Sequence, residues 1–465
     1  MAAELITLSP IDGSVLVRRP YADEQQIQSA LRRAKAAQLA WRELALSERG
    51  ALLERGVAAF VAQKAEIAEE LTRQMGRPLR YTPGEVAGFE VRARHMIGLA
   101  EQALQPVVPT ALPGFTRFIR RDPVGLVLVI APWNYPLLTA VNAVVPALMA
   151  GNAVILKHSA QTPLAAERMV AAFAGLGLPE GLLQFIHTDH DGTRRMIRSE
   201  EVDAVCFTGS VAGGVAVEQA AAGRFIGVGL ELGGNDPAYV RADASLDAAV
   251  EGLVDGAFFN SGQSCCGIQR IYVHQSRHAE FVERAVALTR QYVLGNPLEA
   301  AVTLGPLVRP AAAEAVRAVI AEARAKGARA LIDAREFEWD QPGSAYLAPQ
   351  ILVDVDHGMQ VMKEECFGPL VGIMPVSGDQ EALRLMNDSP YGLSAAIYTE
   401  DAQAALALGE RLETGTVFMN RCDYLDPALA WTGVKQTGRG ATLSSIGYEH
   451  LTRPKSFHLK LPSAG

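Results

Sequence analysis

The sequence predicts an α/β fold built on largely parallel, helix-covered sheets, and three observations carry that prediction. Strand and helix patterns alternate from about residue 124 to the helix after Gly209, and a second alternating series runs from Leu246 to about residue 419. Such alternation calls for crossover connections, whose helices cover the faces of a parallel sheet. Several of the strands are short unbroken apolar runs, as in residues 124–131 (VGLVLVIA), the pattern of strands buried on both faces. Finally, 465 residues at 49% apolar and 20% charged content describe a globular chain long enough for two domains with large cores.

Taken in order, residues 8–18 carry turn and short-strand signals. Helical patterns follow over 22–44, 47–75 and 83–103, rich in Ala, Leu, Glu, Arg and Gln, with Asp23 and Gln26 spaced as a capping box. Pro106, Pro109 and Pro113 end this helical layer. Residues 114–121 (GFTRFIRR) alternate enough to form a strand, but their three arginines exclude a central buried position. A buried strand at 124–131, a helix at 136–149, a strand at 152–157, a helix at 163–175 and strands at 182–187 and 203–207 come next. The stretch 122–156 is long and nearly uncharged, yet Pro132, Asn134, Pro136, Asn142, Pro146, Gly151 and Asn152 interrupt it. It therefore reads as buried strands around a turn and a helix rather than as a membrane span. The second series predicts a helix at 246–260, a strand at 269–274, and helices at 277–291 and 310–327. A turn-rich segment with a hairpin is expected at 332–350, then strands at 367–376, 393–398 and 415–419 with helices near 379–387 and 401–411. A short strand is expected within 453–465.

Bulk properties exclude several function classes. A formal charge of −8 argues against a general nucleic-acid binder, which needs a basic stripe. Five cysteines are an odd number and no disulfide framework. The start, MAAELITLSP, lacks a basic segment followed by an apolar run, so a reducing cytoplasmic location is expected. None of the nine histidines makes a zinc-like spacing with Cys or a carboxylate, so no metal is expected.

The stretch with most chemical content is FFNSGQSCCGIQR, residues 258–270. Cys265 and Cys266 follow an apolar run, and Glu231 in GLELGGNDP stands 34 positions earlier. A thiolate nucleophile and a general base would have these residue types. Without further context, buried inert thiols are the simpler reading of the cysteine pair.

The surrounding motifs supply that context. APWNYPL (131–137), GNAVILKHSAQTP (151–163), FTGS (207–210), LELGG (230–234), GQSCCG (262–267), KEECFGP (363–369) and WTGVKQTGRG (431–440) occur in an order and spacing that resemble the aldehyde dehydrogenase superfamily over nearly the whole chain. The resemblance implies two Rossmann-related parallel-sheet domains and a small β oligomerisation element. Residues 1–107 and 123–231 would bind the cofactor, 232–446 would form the catalytic domain, and 108–122 with 447–465 would pair subunits in a homodimer or homotetramer.

The same resemblance assigns roles. Cys265 is the expected nucleophile, Cys266 a wall of the pocket, Glu231 the general base, and Asn134 with the backbone N–H of Cys265 the oxyanion donors. NADP or NAD is expected at Trp133, Lys157, Ser159, Ala160, Gly209, Ser210, Gly214, Leu232, Glu365 and Phe367. The turn from Gly209 to Gly214 follows a strand and opens a helix but lacks the G-x-G-x-x-G spacing. Relatives commonly carry a ribose-binding glutamate where this chain has Ala160, which removes a charge that would repel a 2′-phosphate and favours NADP use. Tyr135, Leu138, Asn142, Phe259, Ser264, Cys266, Asp423, Leu425 and Trp431 should line the aldehyde tunnel, with Asn142 making one wall polar. Arg421 could meet a substrate carboxylate, although a surface or interface arginine is the simpler reading, and Asn235 departs from the family's usual residue without evident consequence. The implied reaction is oxidation of an aldehyde to the acid through a cysteine thiohemiacetal and thioester. A coenzyme A-acylating enzyme, a phosphorylating enzyme and a non-catalytic protein retaining the fold are the alternatives.

Overall fold

A computed structural model describes residues 4–462; residues 463–465, the end of the expected pairing element 447–465, lie outside them. Two parallel sheets organise the chain. The first has six strands in the order Gly438–Arg439, Gly227–Glu231, Ala204–Thr208, Leu126–Ala131, Ala153–His158, Leu183–Phe185. The second has seven, in the order Arg329–Ala330, Gln350–Val353, Leu370–Val376, Ile268–His274, Asp236–Val240, Ser394–Tyr398, Thr416–Met419. Every neighbouring pair is parallel except at the two short edge strands, Gly438–Arg439 and Arg329–Ala330.

Residues 122–156 form the buried strands Leu126–Ala131 and Ala153–His158 around the helix Pro136–Met149, and no helix among the described residues is long and apolar enough to cross a membrane. The N-terminal helical layer begins at Asp23, whose side chain accepts from Gln26 N while Gln26 caps in return. One expected helix is two: Leu46–Val61 and Lys64–Met75 are separated at Gln63, whose Oε1 accepts from Arg168 Nη1 at 2.9 Å. That tertiary contact has no local sequence signal. The hairpin expected at 332–350 is absent; the segment loops into Gln350–Val353, which pairs in parallel with Leu370–Val376 and antiparallel with Arg329–Ala330.

The sequence pattern also missed Gly227–Glu231 and Asp236–Val240. The first is short and glycine-rich. The second contains Pro237, which ordinarily argues against a central strand. The missing N–H is accommodated because the register with Ile268–His274 shifts between Ile268 and Arg270, opposite Pro237. Phe115–Pro123 and Thr452–Lys460, both expected as strands, pair with each other over nine antiparallel positions, with Phe118 stacked on Phe457 at 4.6 Å.

The turn that delivers the cysteine pair is tightly constrained. Helix Leu246–Phe258 runs into a short 3₁₀ turn, Phe259–Gly262, in which Asn260, Ser261 and Gly262 all have positive φ. A Cβ at Gly262 would lie 2.1 Å from the Gly368 carbonyl oxygen. Gly262→Ala should therefore destabilise the protein by about 3 kcal/mol or more, read as a lower urea midpoint with an unchanged slope.

Candidate active site

The two sheets present opposite ends to one cleft. Trp133 and Asn134 follow the strand Leu126–Ala131, Lys157 lies near the end of Ala153–His158, Gly209 follows Ala204–Thr208, and Glu231 ends Gly227–Glu231. These are the carboxyl ends of parallel strands. The chain builds outward from Leu126–Ala131 in one direction and then returns to its other side with Ala204–Thr208, creating the switch point where open α/β sheets bind ligands. From the second sheet come the segments that enter strands: 233–235 before Asp236–Val240, Cys265 and Cys266 before Ile268–His274, and Glu365 and Phe367 before Leu370–Val376.

Cys265 and Glu231 line one cavity of about 590 Å³, together with all nine residues expected at the aldehyde tunnel, Cys266 among them. Cys265 is partly exposed, whereas Cys266 is buried and donates from Sγ to Asp423 Oδ1 at 2.8 Å. Ser264 Oγ donates to the same oxygen at 3.1 Å. Contact with the Cys265 side chain, then burial, push the Cys266 thiol far above its ordinary pKa, so Cys266 stays protonated and inert. The two neighbouring thiols thus have different surroundings: one held in a polar cluster, the other open to the cavity.

Glu231 is fixed from two sides. Thr442 Oγ1 donates to its Oε1 at 2.5 Å and Thr208 Oγ1 to its Oε2 at 3.3 Å. Burial raises the carboxyl pKa, while the two threonines and the guanidinium of Arg92 work in the opposite direction. The segment 431–442 supplies this environment: Trp431 pairs with Thr442, and Gly438 pairs with Glu231 itself.

Asn134 is buried, and its Nδ2 donates to the Gln263 carbonyl at 3.2 Å, beside the Cys265 loop. Its own carbonyl accepts from Arg77 Nη2 at 2.5 Å. Arg77 also donates from Nε to Asn260 Oδ1 at 3.1 Å, stacks over the Tyr135 ring at 4.2 Å, and pairs through Nη1 with Glu85 Oε2 at 2.5 Å. Glu85 Oε1 accepts from Leu137 N at the start of helix Pro136–Met149, at 2.9 Å. One buried ion pair therefore fixes the asparagine loop against the cysteine loop.

The expected cofactor residues fall along the switch point. Ser210 caps the helix Val211–Ala221 by accepting from Gly213 N at 3.2 Å, and a Cβ at Gly214 would lie 2.7 Å from Leu232, which packs there. The Lys157 side-chain amine makes no hydrogen bond or ion pair among the described residues, and burial lowers its pKa. Ser159 N donates to the Ala131 carbonyl at 2.9 Å, and the Ala160 carbonyl accepts from Thr7 Oγ1 at 2.7 Å. Glu365 accepts from Gly234 N at 3.2 Å, with its pKa raised to about 7 by burial, and the Trp133 and Phe367 rings meet edge to face at 5.7 Å. An amine without a partner, a helix N-terminus and an underused carboxylate fit a nucleotide's phosphate and ribose groups. Asn235 acquires a local role: its Nδ2 donates to the Glu364 carbonyl at 2.6 Å and ties the Glu365 segment to the strand behind it.

The sequence profile described as the aldehyde dehydrogenase family matches residues 2–457. This chain belongs to that family. It is 34% identical over 448 residues to the NAD(P)+ succinate semialdehyde dehydrogenase Sad of Escherichia coli K12, covering 96% of each chain. It is 32% identical over 461 residues to the betaine aldehyde dehydrogenase of Rhizobium etli, covering 97% of this chain and 93% of that one. The solved structure of an aldehyde dehydrogenase from Brucella melitensis biovar abortus superposes with a TM-score of 0.94 at 30% identity, covering 99% of this chain and 94% of the other. Aldehyde dehydrogenase family membership makes the protein an NAD(P)-dependent oxidoreductase and accounts for the two-sheet fold.

Sequence reasoning missed Arg77, Glu85, Arg92 and Thr442. A signal existed for two of them. Glu85, Phe89, Arg92, Met96 and Ala100 recur at helical spacing on the buried face of Thr82–Ala103, so two charged residues interrupt an apolar stripe. Charges at core positions call for buried partners or a ligand. Arg77→Met should destabilise the protein by about 3–5 kcal/mol, because it strands Glu85. Arg77→Met with Glu85→Leu should recover much of that in thermal unfolding while aldehyde turnover stays low, since the Asn134 loop remains untethered.

Proposed function

We propose that this aldehyde dehydrogenase oxidises its substrate through Cys265, with Glu231 as general base and Asn134 as oxyanion donor. The supporting observation is that Cys265 and Glu231, delivered by different sheets, line one cavity while the Asn134 amide is bonded into the Cys265 loop. Cys265 Sγ adds to the aldehyde carbon, forming a thiohemiacetal whose oxygen takes hydrogen bonds from Asn134 Nδ2 and the Cys265 backbone N–H. NAD(P), held by Lys157, the Gly209–Gly214 turn and Glu365, supplies the hydride acceptor when bound. The substrate carbon is then carried as a thioester on Cys265. Glu231 takes a proton from water, whose oxygen attacks that carbon; the acid leaves and the thiol is restored. Cys266 takes no part.

Residues 1–107 and 123–231 serve the cofactor, 232–446 the chemistry, and 108–122 with 447–465 subunit pairing in a dimer or tetramer. An isolated two-stranded ribbon is marginal by itself, and an edge of Phe115–Pro123/Thr452–Lys460 suits addition of a second subunit. NADP is accepted alongside NAD because Ala160 places no carboxylate beside Lys157.

Cys265→Ser should lower turnover at least about 1,000-fold, and Asn134→Ala about 100- to 1,000-fold, as for loss of one oxyanion donor. Glu231→Gln should give one equivalent of reduced cofactor per site in a rapid burst and almost no steady rate. Full steady turnover by this variant would refute the general base, and a requirement for coenzyme A would instead indicate acyl transfer. Activity should fall as acidity protonates Glu231, at a pH above the ordinary carboxylate range. Thr442→Val removes a hydrogen bond that favours the ionised form and should move this limb of the pH–rate profile to still higher pH. A strong preference for NAD in paired cofactor assays would overturn the reading of Ala160.

A further inference from the structure

We propose that the aldehyde oxidised at Cys265 carries a second, anionic group, as in an oxo acid, and that Arg92 binds its carboxylate. The inference rests on the assignment of Cys265 as nucleophile. Helix Thr82–Ala103 presents Arg92 to the cavity that Cys265 and Glu231 also line. The residue is only 9% exposed. No carboxylate lies within ion-pair distance of its guanidinium among the described residues, whereas Arg77, also buried, pairs with Glu85. Among the described residues only one nitrogen of Arg92 is engaged: Nη1 donates to the Leu138 carbonyl at 3.0 Å and to Asn142 Oδ1 at 3.3 Å. Both acceptors belong to helix Pro136–Met149. They orient the planar fork and leave the Nε and Nη2 donors without an acceptor among the described residues.

A buried guanidinium without a counterion is costly, and arginine does not escape the cost by losing its proton. The carboxylates around it do not serve. Glu85 is taken by Arg77, Glu231 by Thr442 and Thr208, and Asp423 by Cys266 and Ser264. A carboxylate completes the guanidinium by accepting two hydrogen bonds. A cationic aldehyde would be repelled, and an apolar one would leave the fork unsatisfied. Arg421, the other cavity arginine, is exposed and stacked on Tyr424 at 3.7 Å. It can attract the same anion to the mouth without gripping it inside.

The test compares 4-oxobutanoate, butanal and trimethylammonioacetaldehyde with the full-length enzyme at saturating cofactor. The expected kcat/KM for 4-oxobutanoate exceeds that for butanal roughly 10- to 100-fold, the effect of one charge-assisted contact, and the difference resides in KM. In Arg92→Gln that ratio should collapse to about one; Arg92→Lys should restore part of it. Succinate should compete with butanal in the unaltered enzyme and lose this effect in Arg92→Gln. Equal use of butanal and 4-oxobutanoate, preference for the cationic aldehyde, or an equal fall for both aldehydes in Arg92→Gln would overturn the role of Arg92 while leaving the chemistry at Cys265 standing. Were Arg92→Gln not to fold, the unaltered enzyme's aldehyde ratio and its inhibition by succinate would still decide. Failure to oxidise any of the three aldehydes would overturn both the role of Arg92 and the assignment of Cys265.

Discussion

The pairing of Arg77 with Glu85 is the constraint on which the cleft depends. Neither side chain has appreciable contact with solvent, and together they reach four segments: the end of one helical layer, the start of helix Pro136–Met149, the carbonyl of Asn134 and the turn at Asn260. A buried pair is not by itself a strong source of stability, because desolvation offsets much of the attraction. Its value here is geometric. The asparagine and cysteine loops enter from different sheets, and neither is long or regular enough to hold its own position. A guanidinium with several donors in a fixed plane can reference both to one point.

Around that point, similar side chains acquire different chemistry from their surroundings. Cys265 and Cys266 are adjacent in sequence, yet contact with Cys265, then burial and the Asp423 carboxylate, keep the second a thiol while the first faces the cavity. Glu85 is a buried carboxylate and Glu231 a half-buried one. Glu85 is neutralised by an arginine, whereas Glu231 meets hydroxyls and a more distant guanidinium, leaving it able to exchange a proton. Arg77 and Arg92 form a parallel contrast: one is surrounded by protein acceptors, the other is only half provided for.

Much of the architecture was legible because it rests on local pattern. The apolar runs at Leu126–Ala131 and Ala153–His158 announce strands covered on both faces, and the motif order announces the family. Gly227–Glu231 and Asp236–Val240 escaped because their identity comes from neighbours: glycines weaken one signal, and a register shift in another strand makes Pro237 tolerable in the other. The break at Gln63 left no local signal; the residue it bonds there, Arg168, lies far along the chain. The site divides the same way. Residues within compact motifs, such as Asn134, Glu231 and Cys265, were visible. Arg77, Glu85 and Arg92 take their meaning from partners on other elements, and only the helical spacing of the last two marked them as unusual. Thr442 lies just past a recognised motif and becomes significant only because that segment folds back onto the first sheet.

That return of the chain has a consequence for biosynthesis. Gly438–Arg439 closes an edge of the sheet laid down by the first half of the protein, Thr442 completes the surroundings of Glu231, and the Leu451 carbonyl accepts from Asn152. A nascent chain can fold much of its first sheet while still on the ribosome, but the edge beside Glu231 stays unpaired until the final segment emerges. A polypeptide released before that point carries the cysteine and the carboxylate without the enclosure that gives either its character. Translation must pass the segment that carries Gly438, Thr442 and Leu451 before the surroundings of Glu231 are complete.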